Sequence, residues 1–136
     1  MQQLTERGIT VIVNLAPILP FINDDMENIQ GLLSYCVKAG VYGILTDKMC
    51  PVLREGNRER FYQQLYKNFP DIYDQYEAVY ADEKTLKTKN YTEIMACIRE
   101  TCEAHGIQYD KEELLRFTRE YKNKTIGTQL SLFDMM

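Results

Sequence analysis

The chain has 136 residues, 45% hydrophobic, 26% charged and 11% aromatic, with a net charge of −4. That length suits one compact domain; a complete eight-unit β/α barrel, at about 250 residues, would need roughly twice as much chain. Near-average apolar content excludes wholesale disorder, and no apolar run reaches the ~20 residues that span a bilayer. The acidic balance argues against a broad nucleic-acid footprint but not a local one.

Met1 is followed by Gln2, Gln3, Thr5 and Glu6, without the basic stretch and apolar core of a signal peptide. Residues 9–19, ITVIVNLAPIL, are almost continuously apolar and rich in β-branched side chains. A run without alternation predicts a strand covered on both faces, as in a parallel sheet. Pro17 and Pro20 end it. Asn23 or Asp24 can cap a helix with Glu27 in its first turn. Ile29, Leu32, Leu33, Cys36 and Val37 follow at helical spacing, and Gly40 marks the stop. Residues 41–46, VYGILT, predict a second buried strand, so residues 1–50 read as one βαβ unit.

Residues 51–121 read as mainly helical. Phe61, Tyr62, Leu65, Tyr66 and Phe69 fall on one helical face before Pro70. A shorter helix carries Ile72, Tyr73, Tyr76, Val79 and Tyr80. Residues 81–89, ADEKTLKTK, predict an exposed loop. Asn90 with Glu93, and Asp110 with Glu113, have capping-box spacing. The first opens a helix with Ile94, Cys97, Ile98 and Cys102 inward, ended by Gly106; the second precedes Leu114, Leu115, Phe117 and Tyr121. Residues 122–136 are predicted to be a flexible tail. The expected fold class is α/β, a βαβ unit followed by a mainly helical region. Two parallel strands do not make a stable sheet alone. Either the tyrosine-rich helices wrap them, or another chain or a second copy of this one covers their edges.

Four cysteines, Cys36, Cys50, Cys97 and Cys102, contain no CxxC. In a chain without a visible leader they read as reduced thiols, which predicts a cytoplasmic protein. Cys97 and Cys102 would point some 140° apart on a helix. His105, the single histidine, sits where a cation complements a helix C-terminus. No side-chain constellation in the sequence marks a catalytic residue or a metal ligand.

GITVIVNLAPILPFIND, with its following helix and GVYGIL, resembles a late strand–helix–strand unit of radical SAM enzymes. The spore photoproduct lyase-like branch shows a similar P-x-x-P-x-x-N-D turn, here Pro17, Pro20, Asn23 and Asp24. Its M-x-x-x-LREG-x-R segment resembles Met49, Leu53, Arg54, Glu55, Gly56 and Arg58, followed by Phe61 and Tyr62. The resemblance covers most of the chain and implies a partial (β/α) barrel, with Met1 inside the helix before a late strand. It also implies a [4Fe-4S] cluster and S-adenosylmethionine, from which the family generates a 5′-deoxyadenosyl radical that takes hydrogen from a substrate. The CxxxCxxC loop that binds the cluster is absent here. The expectation is therefore a C-terminal portion, inactive alone, whose partner is the missing N-terminal half.

Several residues are candidates for a site. Asn14, polar within an apolar strand, would face a ligand in a barrel lumen, or else be a core amide bonded to backbone. Thr46 and Asp47 lie where barrels gather their active sites, or else shape a turn. These three are candidate cofactor contacts. Arg54, Arg58 and Arg60 stand beside aromatics and could hold phosphate or nucleic acid; interleaved Glu55 and Glu59 favour local ion pairs instead. Gln129, Leu130, Ser131, Leu132 and Phe133 spell QLSLF. This resembles the pentapeptide with which bacterial replication and repair proteins bind the DNA sliding clamp. That supplies an alternative function, a non-enzymatic interaction module.

Overall fold

The structure is a computed structural model that describes residues 1–120. The chain runs α1 (Gln2–Glu6), β1 (Ile12–Asn14), α2 (Met26–Ala39), β2 (Gly43–Leu45), α3 (Asn57–Asn68), α4 (Pro70–Tyr80), α5 (Tyr91–His105) and α6 (Lys111–Arg119). The fold is mixed α/β and mostly helical, with a small two-stranded parallel sheet. No helix among the described residues is long and apolar enough to cross a membrane.

β1 and β2 pair in parallel, with Ile12 opposite Gly43, Val13 opposite Ile44 and Asn14 opposite Leu45. The predicted strand 9–19 is thus regular over three residues only. Beyond Asn14 the chain turns toward α2 through the cis Ala16–Pro17 bond and a left-handed Phe21. A third extended segment joins β2 on its far side. Ile44 N–H donates to Gln108 C=O and Gln108 N–H to Tyr42 C=O, both at 2.9 Å, giving a parallel bridge at Gly43. β2 is therefore the central strand. The outer edge of β1 pairs with no strand among the described residues.

The tyrosine-rich helices do not wrap this sheet. They build a second core. The first core joins Leu15, Ile18 and Ile44 to Ile29, Leu33 and Cys36 of α2 and Ile94, Ile98 and Cys102 of α5. The second joins Leu53 and Leu86 to Leu65 of α3 and Tyr76 and Tyr80 of α4, with Phe21 and Ile22 packed against it. Tyr76 is wholly buried, and its hydroxyl donates to Pro20 C=O at 2.7 Å. Leu32, Tyr66 and Val79 were expected inward but are exposed, because each sits at the margin of its helix's buried stripe.

Gly43 explains how α6 reaches the sheet. A Cβ there would collide with Leu114 Cδ2 and lie 3.0 Å from the Gln108 carbonyl oxygen. Leu114 is buried over this bare position, and Phe117 stacks on Tyr42 at 4.7 Å. α6 thus covers β2 on the face opposite the first core.

Three local expectations are corrected. The N-cap of α2 is Asp25, whose carboxylate accepts from Asn28 N–H at 2.8 Å. Asn23 and Asp24 instead fold the preceding turn: Leu19 N–H donates to Asn23 Oδ1 at 2.6 Å and Phe21 N–H to Asp24 Oδ1 at 2.8 Å. Asn90 is the N-cap position of α5 but makes no side-chain cap; its amide donates to Asp24 C=O at 3.2 Å. Finally, residues 81–89 are not simply exposed. Thr85 bridges Val52, and Leu86 and Thr88 are buried. The Thr88 hydroxyl donates to Asp24 Oδ2, tying this segment to the proline-rich turn.

Candidate functional site

Asn14 and Thr46 lie on opposite faces of the sheet. Asn14 is exposed and shares a sheet face with its register partner Leu45. Side chains alternate along a strand, so Thr46 turns to the opposite face, toward α5. Asp47 pairs with Lys111 Nζ at 2.8 Å, fastening the end of β2 to the start of α6. That hydrogen bond holds the Asp47 carboxyl below its ordinary range, against a smaller opposing effect of desolvation.

Thr46 belongs to a cleft of about 410 Å³ at the C-terminal end of β2. Its long wall is one stripe of α5, Tyr91, Met95 and Arg99, spaced by four residues and so stacked on one helix side. Tyr109, just after the third extended segment, closes the other side. Met95, Ala96 and Ile98 supply the cleft's apolar lining. Arg99 is the single charged lining group and forms no ion pair among the described residues. Tyr109 Oη donates to Glu103 at 2.8 Å, and that bond raises the phenol above its usual range. The Lys87 ammonium sits 4.4 Å from the centroid of the Tyr91 ring. The sequence reading missed these α5 residues. Their i, i+4, i+8 spacing was visible, but it lies beside the more apolar stripe of Ile94, Ile98 and Cys102.

The three arginines serve different neighbours. Arg58 donates to Glu83 C=O at 3.0 Å and Tyr80 C=O at 3.2 Å, closing the C-terminal end of α4, and lies over the Tyr62 ring at 5.5 Å. Arg54 is exposed and lines a shallow groove with Lys48, Cys50 and Asn57. Arg60 is exposed on α3. The interleaved Glu55 and Glu59 form no ion pair with them among the described residues.

A [4Fe-4S] cluster needs thiolates that converge. Among the described residues no three His, Cys, Asp or Glu side chains gather to hold a metal ion. Cys36 and Cys102 are buried in the first core, where desolvation disfavours the thiolate and pushes Cys102 up to about 11. Buried and protonated in that core, these two thiols do not fit a cluster. Residues 129–133, the QLSLF motif, lie outside the described residues.

No protein-family model, curated protein or solved structure matches this chain.

Proposed function

We propose that this chain supplies late strands and C-terminal helices to a radical SAM protein of the spore photoproduct lyase-like branch, and that it performs no radical chemistry by itself. One observation carries the reading. β1, β2 and the segment at Gln108 run parallel in chain order, helix-containing connections join them, and the outer edge of β1 pairs with no strand among the described residues. Consecutive parallel strands joined through helices are the repeat of a β/α barrel, and an open edge is where a preceding strand would add. The P-x-x-P-x-x-N-D resemblance supports it further: in this chain those residues form a hydrogen-bonded turn that is tied to Tyr76 of α4 and to Thr88. The cluster and S-adenosylmethionine would then be held by strands other than those described.

The deciding test is the gene. An in-frame CxxxCxxC upstream of the codon for Met1 is the expected result; its absence would overturn the assignment. Anaerobic iron–sulfide reconstitution of the chain alone is expected to give no stoichiometric cluster absorbance.

A second reading rests on residues 129–133 themselves. QLSLF would dock on the bacterial DNA sliding clamp, with Leu132 and Phe133 filling an apolar pocket and Gln129 bonding at the rim.

A further inference from the structure

We propose that the cleft between Thr46, the α5 stripe and Tyr109 binds a small aromatic carboxylate. The cleft lies on the α5 side of the sheet, away from Asn14, and the inference is independent of the family reading.

Size sets the class of ligand. About 410 Å³ lies within the ~300–1,000 Å³ of small-molecule sites, and is too little to seat a folded partner. Position agrees with it. Ligands of open α/β sheets gather outside the carboxyl ends of strands, and Thr46 and Tyr109 follow two such ends.

The lining sets the chemistry. Met95 and Ala96 give an apolar lining, and the rings of Tyr91 and Tyr109 flank it. Thioether and aromatic edges favour a flat ring over a branched chain. Arg99 offers a planar, permanently charged fork whose donors match a carboxylate. It lies at the cleft's exposed side, so the ligand's ring would enter and its charge would remain at the rim. Lys87, held over the Tyr91 ring, adds a second positive charge nearby. Glu103 is the opposing group, one turn beyond Arg99 on α5. Its carboxylate accepts the Tyr109 hydroxyl, which occupies one oxygen.

The test titrates the full ¹⁵N-labelled chain with 3-phenylpropionate and, separately, with uncharged 3-phenylpropan-1-ol. Saturable amide shifts are expected at Thr46, Met95, Arg99 and Tyr109. The carboxylate should bind about tenfold more tightly than the alcohol, the scale of one charge-assisted hydrogen bond. Arg99→Gln, an exposed change that spares the core, should bring the two affinities together. Glu103→Gln should tighten the carboxylate alone. Ala96→Trp should fill the cleft and abolish both, and its thermal melt reports whether the fold survives. No saturable shift with either probe, equal affinities in the unaltered chain, or a preference that survives Arg99→Gln would each overturn the proposal.

Discussion

Gly43 shows how a single missing side chain sets the arrangement of an element. Its Cβ position is taken by Leu114 from one side and crowded by the Gln108 carbonyl from the other. The Leu114 tip belongs to a buried side chain and has little room to retreat. Gly43→Ala should therefore cost about 1–3 kcal/mol, the usual penalty of overpacking. Urea unfolding measures it. The penalty should shrink when Leu114→Ala is added, because the second change removes the atoms that clash; strictly additive losses would refute the contact. Asp47 gives a second prediction at this scale. Lys111 stabilises its ionised form, so the folded carboxyl titrates below the unfolded one. The ion pair's contribution is present above the unfolded pKa and fades as pH falls through the folded one. Lys111 is largely solvated and Asp47 partly so, which keeps the effect on stability small. The clean readout is the carboxyl titration itself by NMR, whose midpoint should rise in Lys111→Met.

At the scale of elements, the turn at residues 17–28 and the segment at 84–90 act as one unit. Asp24 accepts from the Thr88 hydroxyl and from Phe21 N–H, and Asn90 donates back to the Asp24 carbonyl. Thr88→Val keeps the shape and removes the donor. It should destabilise by about 1–3 kcal/mol, because a partly buried carboxylate loses a partner. Urea midpoints check this, and a shift below a few tenths of a kcal/mol would show that the bond is not maintained. The helices were legible because their buried positions recur with the helical period: Ile29, Leu33 and Cys36 in α2, and Ile94, Ile98 and Cys102 in α5. Gly40 and Gly106 ended them as expected, both in the left-handed conformation. Residues 84–89 were misjudged because three lysines dominate the segment's composition. The signal was present as alternation, since Leu86 and Thr88 point inward while Lys87 between them is exposed. Asp25 prevailed over Asn23 and Asp24 as cap because those two were already committed to the turn, a long-range preference that spacing does not encode. The α5 wall of the cleft was visible as spacing only. Nothing in the sequence indicated that Arg58 would reach the carbonyls of Tyr80 and Glu83, 22 and 25 residues away.

At the scale of the molecule, the asymmetry of the sheet is the main physical fact. β2 is paired on both sides, by β1 and by Gln108. Among the described residues β1 is paired on one. Leu15 N–H and Val11 C=O bond to β2, so alternation turns the backbone groups of Ile12 and Asn14 outward. Ile12 is half-buried and Asn14 exposed. Such an edge is a template for another strand. Hydrogen exchange on the isolated chain should therefore separate neighbours along one strand. The amides of Leu15, Ile44 and Gln108 should be protected, and those of Ile12 and Asn14 should exchange at rates near those of unstructured chain. In the longer protein envisaged above, the same two amides should become protected, because a preceding strand would accept from them. Equal protection at Ile12 and Leu15 in the isolated chain would mean that the edge is already covered, by a second copy or by residues beyond 120; equilibrium sedimentation across concentrations distinguishes those two.

The same scale decides between the two functional readings. If the chain is a piece of a barrel, its tail is incidental, and clamp binding should be indistinguishable from background. If residues 129–133 are a docking peptide, the affinity resides in a few apolar side chains, as in other short peptides captured by grooves. Leu132→Ala and Phe133→Ala should then each cost about 2 kcal/mol or more, roughly thirtyfold in Kd, while leaving the melting temperature of the chain unchanged. Ser131→Ala should cost little, because serine is rarely a hot spot. Titrating purified clamp against the chain and these three variants by calorimetry separates the cases. A strong loss at both apolar positions with none at Ser131 supports the docking peptide. Equal binding across all four chains removes it and leaves the barrel reading alone.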